Sequence, residues 1–184
     1  MNAAVPQQRD TIRLFFALWP DAQVRARLDG WAAALHADCG GRRMRAENLH
    51  LTLAFLGATG AARLEQLKHL AAQVSVTAFD LQIDQPGYWK HNRIAWAGAS
   101  VIPEPLAALI ADLRDELTAG GFRFDPKPFV PHVTLLREAR EPQPLPQFPA
   151  IAWPVSGLAL VRSVPGGQGV RYVVEAARPG RTVK

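Results

Sequence analysis

"NLHLTLAFLG" occupies residues 48–57, and "FVPHVTLLR" occupies residues 129–137. Each holds a histidine and a threonine two apart among apolar residues. The first reads His50-Leu51-Thr52-Leu53; the second, 82 residues on (132 − 50), reads His132-Val133-Thr134-Leu135. Successive side chains of a strand point to opposite faces. Each segment therefore sets an imidazole and a hydroxyl on one face and aliphatic groups on the other. With five histidines and seven threonines in 184 residues, chance predicts a threonine two after a histidine about 0.2 times (5 × 7/184), and two are present. Threonine suits strands, and a strand histidine often does no more than hydrogen-bond. It is the matched frame that points to chemistry.

The frames sit in an internal repeat of low identity. "GGRRMRAENLHLTL" and "GGFRFDPKPFVPHVTL" share a Gly-Gly pair, a basic connector and the histidine strand, and each follows a helical pattern. Val24, Leu28, Trp31 and Leu35 recur at helical spacing from a Pro20-Asp21 start to Gly40-Gly41. Leu64, Leu67, Ala71 and Val74 predict a second helix. Leu106, Leu109, Ile110, Leu113 and Leu117 predict a third, entered through Pro103 and Pro105 and stopped by Gly120-Gly121. Strands are expected at 11–19, 48–57, 79–83, 93–98, 132–137, 155–164 and 170–176, with "YWKHN" as a turn and "EPQPLPQFP" as a connector. The order β-α-β-α-β-β-α-β-β-β predicts an α+β fold with mainly antiparallel sheet. A two-fold between the halves would bring the two His/Thr pairs face to face.

The length suits one compact unit with two lobes, spanning 1–184, with 1–10 and 178–184 as flexible ends. A hydrophobic content of 48% is ample for a core. Net charge is +5, and only four of the 21 basic residues are lysine; arginine forks suit a phosphate-bearing partner. A single cysteine, Cys39, rules out an internal disulfide and a multi-cysteine metal site. No secretory leader or membrane span is legible, so a cytoplasmic location is expected. No strong oligomerisation surface is legible either, and a monomer is expected.

Two imidazoles can share acid and base duties near neutral pH, one neutral and one charged. Phosphodiester cleavage needs that division: a base for the attacking oxygen and an acid for the leaving one. Threonine hydroxyls can hold the non-bridging oxygens. A metal site fits worse, because neither motif carries a carboxylate in register and zinc would want a third ligand. No cofactor is expected. "GGRRMR" could line the cleft with Arg42, Arg43 and Arg45 through salt-sensitive contacts. Phe15 could floor the cleft or stack on a base, although core packing is the preferred reading for both Phe15 and Phe16. His36, His69 and His91 read as surface residues.

"RLFFAL", "ENLHLTLAFLG" and "PHVTLLR", in this order and spacing, resemble the bacterial RNA 2′,3′-cyclic phosphodiesterases of the 2H phosphoesterase superfamily, historically called 2′-5′ RNA ligases. The resemblance covers nearly the whole chain. It implies a bilobal, pseudo-symmetric fold with antiparallel sheets lining a central cleft and helices outside. It also implies metal-independent hydrolysis of RNA 2′,3′-cyclic phosphate ends to 2′-phosphates, with reversible 2′-5′ ligation as a side activity. Carried over by residue, His50 and His132 are the catalytic pair, His50 as general acid and His132 as general base, and Thr52 and Thr134 bind the phosphate. Arg137 is expected to touch substrate, yet its odd offset from His132 sets it on the opposite face unless the strand ends or bulges. Two other readings stay open. One is a superfamily phosphodiesterase for a 2′-5′ oligonucleotide or a cyclic ADP-ribose phosphate. The other is a non-catalytic RNA-binding module.

Overall fold

The computed structural model describes residues 10–167 and 169–180. The expected loose ends 1–9 and 181–184 lie outside them. Arg178 and Pro179, by contrast, pair with Leu158 and Gly157 in the last strand.

The chain runs β1 (Thr11–Leu18), α1 (Ala22–Cys39), β2 (Arg42–Arg43), a 3-10 turn (Ala46–Asn48), β3 (Leu51–Gly60), α2 (Leu64–Gln73), β4 (Phe79–Ile83), β5 (Gln85–Trp89), β6 (Ile94–Gly98), α3 (Glu104–Ala119), β7 (His132–Arg137), β8 (Ile151–Val155), β9 (Gly157–Gly166) and β10 (Gly169–Pro179). The three predicted helices form where their apolar spacing placed them. Asp21 caps α1 by accepting the Val24 N–H at 2.8 Å, and Gly40 ends the helix. Val24, Leu28, Trp31 and Leu35 make its buried stripe.

Three strands escaped the sequence reading. β5 contains Pro86 and Gly87, which read as breakers, and it takes Tyr88 and Trp89 from the segment expected to be a turn. β8 contains Pro154, and β2 is only two residues long. The prolines are tolerated because β5 ends the main sheet and β8 has a single partner, β4.

The main sheet has the order β10-β9-β1-β3-β7-β6-β5, with β2 added on β7, and its pairs are antiparallel. Two units are legible within it: β1-α1-β3 and β6-α3-β7. Their helices cross over, α1 packing on β7 and α3 on β3. The halves join where Leu51 pairs with Val133. The histidine strands are therefore neighbours in one sheet, side by side instead of facing each other across a gap.

One face of the sheet carries the main core, with Leu14, Phe16, Leu18, Leu51 and Val133 all at 0% exposure. The other carries a smaller apolar layer of Phe15, Ala17, Ala159 and Val161, against which Trp19 and Tyr172 pack.

Gly41 shows how tightly β2 is held. It has φ +86°, and a Cβ there would stand 2.7 Å from the Arg137 carbonyl oxygen and 2.8 Å from the Ala139 Cα. Gly40 also has a positive φ, +62°, but a Cβ there meets nothing within 4 Å. Gly40→Ala should therefore cost only the backbone term, about 1–3 kcal/mol for a conformation (φ +62°, ψ −146°) that is essentially glycine's own. Gly41→Ala should cost clearly more in urea unfolding, because backbone must move; equal losses would contradict this packing.

Candidate active site

The His/Thr frames fall on the face away from the main core, as strand alternation requires. Leu49, Leu51, Leu53, Val133 and Leu135 are buried at 0–3% exposure, while His50, Thr52, His132 and Thr134 are half-buried along a cavity of about 920 Å³. Extending the antiparallel Leu51–Val133 register one residue each way sets His50 beside Thr134 and Thr52 beside His132. Two imidazoles and two hydroxyls thus surround one bridge, each imidazole next to the other strand's hydroxyl.

Both rings are held by the same device. His50 Nδ1 donates to the Asn48 carbonyl at 2.7 Å, and His132 Nδ1 donates to the Val130 carbonyl at 2.8 Å. A carbonyl only accepts, so in each neutral ring Nδ1 carries the proton and Nε2 keeps its lone pair. Asn48 is itself pinned: it is buried, and its side-chain amide donates to the Val170 carbonyl at 3.0 Å.

Burial favours the neutral form of both rings in the free protein. Burial pushes His50 down from 6.5 to about 4; the Asn48 carbonyl opposes this, and His132 and Arg137 add to it. His132 is lowered too, chiefly by burial and then by Arg137. The burial of His50 is aromatic. Phe15 lies 4.8 Å away, Trp19 stacks at 5.5 Å with 7° between planes, and Tyr172 meets the ring edge-on at 5.0 Å. His132 has Trp89 against it at 4.5 Å, edge to face.

Arg137 does line the cavity. The β6–β7 register jumps from Trp96↔Thr134 to Ala95↔Leu136, so Leu135 is an extra residue, a bulge. Leu135 and Leu136 are both buried, and Arg137 returns to the face of His132. Phe15 is 3% exposed and packs under His50 at the cavity floor, whereas Phe16 belongs to the main core. Arg43 borders the cavity but holds Asp29 at 2.6 Å. Arg42 lies 3.9 Å from Glu138, and Arg45 lies 3.8 Å from Glu47.

His36, His69 and His91 are exposed, as expected. Cys39 is buried with its thiol donating to the Leu35 carbonyl at 2.8 Å, and burial pushes its pKa up, which makes it a poor nucleophile. Among the described residues, no three His, Cys, Asp or Glu side chains group closely enough for a metal, and no helix is long and apolar enough to cross a membrane. Sequence reasoning missed Trp19, Tyr172, Trp89 and Asn48. For Trp19 a signal was available, since it shares strand parity with Phe15 and Ala17.

Paired imidazoles with Nδ1 held by backbone carbonyls, flanked by hydroxyls and an arginine on one sheet face, are groups suited to acid/base chemistry on a phosphodiester. A model of the LigT like Phosphoesterase family matches residues 18–96 and 98–172, and the chain belongs to that family. It is 38% identical over 141 residues to the RNA 2′,3′-cyclic phosphodiesterase of Escherichia coli, covering 77% of this chain and 80% of the relative. It is 32% identical over 178 residues to the protein of that name from Thermus thermophilus, covering 89% and 87%. The fold matches the crystal structure of E. coli LigT in apo form with a TM-score of 0.82, at 32% identity over 95% of this chain and 99% of that one. The match to E. coli LigT complexed with 3′-AMP has a TM-score of 0.81 at 32% identity, over 93% and 99%.

The depressed His50 makes stability pH-dependent. Between about 4 and 6.5 the unfolded chain binds this proton and the folded protein does not, so stability falls as pH drops through that window. His50→Gln should remove up to roughly 3 kcal/mol of that loss. Chemical denaturation of both proteins at pH 7 and pH 4.5 checks it, and parallel pH profiles would contradict it.

Proposed function

We propose that this protein hydrolyses RNA 2′,3′-cyclic phosphate ends to 2′-phosphates without a metal, by acid/base catalysis between His132 and His50. The observation that carries the reading is the Leu51–Val133 bridge, which sets two imidazoles with free Nε2 atoms and two hydroxyls around one point. In this reading Thr52 and Thr134 hold the non-bridging oxygens, and Arg137 balances their charge. His132 Nε2 takes a proton from water, whose oxygen attacks phosphorus. The P–O3′ bond breaks, and O3′ takes the proton from His50 Nε2. The product is a 2′-phosphate with a free 3′-hydroxyl. A 5′-hydroxyl attacking in place of water would leave a 2′-5′ linkage, the reversible ligation. Action as a monomer in the cytoplasm belongs to the same proposal.

His50 must be protonated to serve as acid, yet burial lowers it to about 4. The substrate supplies the remedy. A phosphate anion about 4 Å from the ring contributes about 4 kcal/mol at an effective dielectric of about 20, comparable to the roughly 3 kcal/mol that corresponds to the drop. The acid thus becomes charged when the anion arrives.

The decisive experiment incubates an oligoribonucleotide ending in a 2′,3′-cyclic phosphate with excess EDTA and identifies the product. A 2′-phosphate is expected. A 3′-phosphate would reverse which oxygen leaves, and no turnover would overturn the proposal. His50→Ala and His132→Ala should each lose most turnover, about 10²–10⁴-fold, and the double variant little more than either, because the pair acts as a unit. With both rings lowered in the free protein, kcat/KM should peak below pH 6.5. The alkaline limb of kcat, read on the complex, should lie at higher pH than that of kcat/KM. Coincident limbs would contradict charging by substrate.

A further inference from the structure

Trp19 follows the last residue of β1 and lines no part of the main cavity, yet it lies flat on His50. Its position follows from register. β1 pairs with β3 through Ala17↔Thr52 and Leu18↔Leu51, so the next residues, Trp19 and His50, stand side by side. Leu18 on one side is fixed in the sheet, and Asp21 on the other caps α1. The indole packs against the apolar layer of Phe15, Ala17, Ala159 and Val161. Tyr172 meets its edge at 6.3 Å, 89° between planes. Phe15 and Tyr172 also touch His50, but both border the main cavity. Trp19 borders a separate one of about 270 Å³, with Trp153, Ser156 and Arg178.

We propose that Trp19 is a positioning residue for His50: its indole face fixes the plane of the imidazole and carries the imidazolium once phosphate binds. The inference rests on His50 as the proton donor of the proposed reaction. An indole parallel to an imidazole at 5.5 Å, 7° between planes, presents the negative face of its π system to the cation that forms. The Nδ1 hydrogen bond to Asn48 fixes one edge of the ring; the indole fixes its plane, and Nε2 is left aimed into the cleft. The charged or titratable groups facing His50 are His132 and Arg137 from β7 and Tyr172 from β10. The two from β7 oppose its cation, and Trp19 is a neutral group that favours it.

The test compares Trp19→Leu, which still excludes water but has no π face, with Trp19→Phe, which keeps one. The Leu variant should lose kcat about tenfold on a cyclic-phosphate substrate with KM within about twofold, and its alkaline limb of kcat should move to lower pH. The Phe variant should keep most of both. Equal losses in the two variants, a rise in KM alone, or no change would each overturn the proposal. If the Leu variant fails to fold, Trp19→Met takes its place with the same expectations. NMR pH titration of labelled His50 in saturating inorganic phosphate, in wild type and variants, needs no turnover. A lower midpoint in Leu than in Phe supports the role of Trp19 even if wild type fails to cleave the cyclic phosphate, an outcome that would sink the proposed reaction alone. Equal midpoints overturn the role of Trp19 even if wild type cleaves normally.

Discussion

Leu51 and Val133 meet at the point where the two halves of the sheet join, both with no exposed surface. Burying each aliphatic side chain is worth about 1.5–3 kcal/mol. The larger consequence is parity. Because the side-chain period of a strand is two, a one-residue slip would turn a strand's histidine and threonine into the core and its leucines into the cleft. Hydrophobic burial on one face thus determines the chemistry on the other. It also assembles a site from residues 82 positions apart (132 − 50), which no local contact could do.

The same parity breaks at the same place in both halves. In β3 the register with β1 skips Leu53, three residues after His50; in β7 the register with β6 skips Leu135, three residues after His132. Two buried residues in succession follow each threonine, and the fifth residue after each histidine comes out on the cleft face. That residue is Phe55 in one half and Arg137 in the other, and both border the cavity. The scaffold repeats and its dressing does not. Phe55 is 39% exposed, with the Arg13 guanidinium 5.6 Å from its ring centre, while Arg137 presents a charge to both histidines.

Much of this was legible in the sequence because it depends on period and spacing. The stripe from Val24 to Leu35 made α1 readable, and the two H-Φ-T-Φ frames made the site readable. The obscure parts share a physical reason. β5 and β8 carry prolines that only their pairing positions make acceptable. The bulge at Leu135 has no composition of its own; it exists because Leu135 and Leu136 both find apolar space, and so the face of Arg137 could not be settled from its offset. The aromatic surroundings of His50 come from β1, β10 and the residue that follows β1, separated by more than 150 positions (172 − 15). No window of sequence contains that neighbourhood. Expecting the histidine strands to face each other was the natural error, since two-fold symmetry alone does not say whether strands meet within a sheet or across a gap.

In the proposed reaction one histidine gives a proton and the other takes one, so something must tell the members of a pseudo-symmetric pair apart. The backbone does not do this: both rings donate Nδ1 to the carbonyl two residues back. The side chains do. His50 is enclosed by Phe15, Trp19 and Tyr172, whereas His132 meets Trp89 edge-on. Close aromatic packing withholds water from the His50 cation yet offers it a π face, so it favours the neutral ring in the free protein and, in the proposed complex, a cation beside the phosphate. A more open imidazole beside it is free to accept a proton. In the proposed reaction, direction then comes from unequal desolvation laid over an equal backbone, with the substrate's own charge favouring the His50 cation.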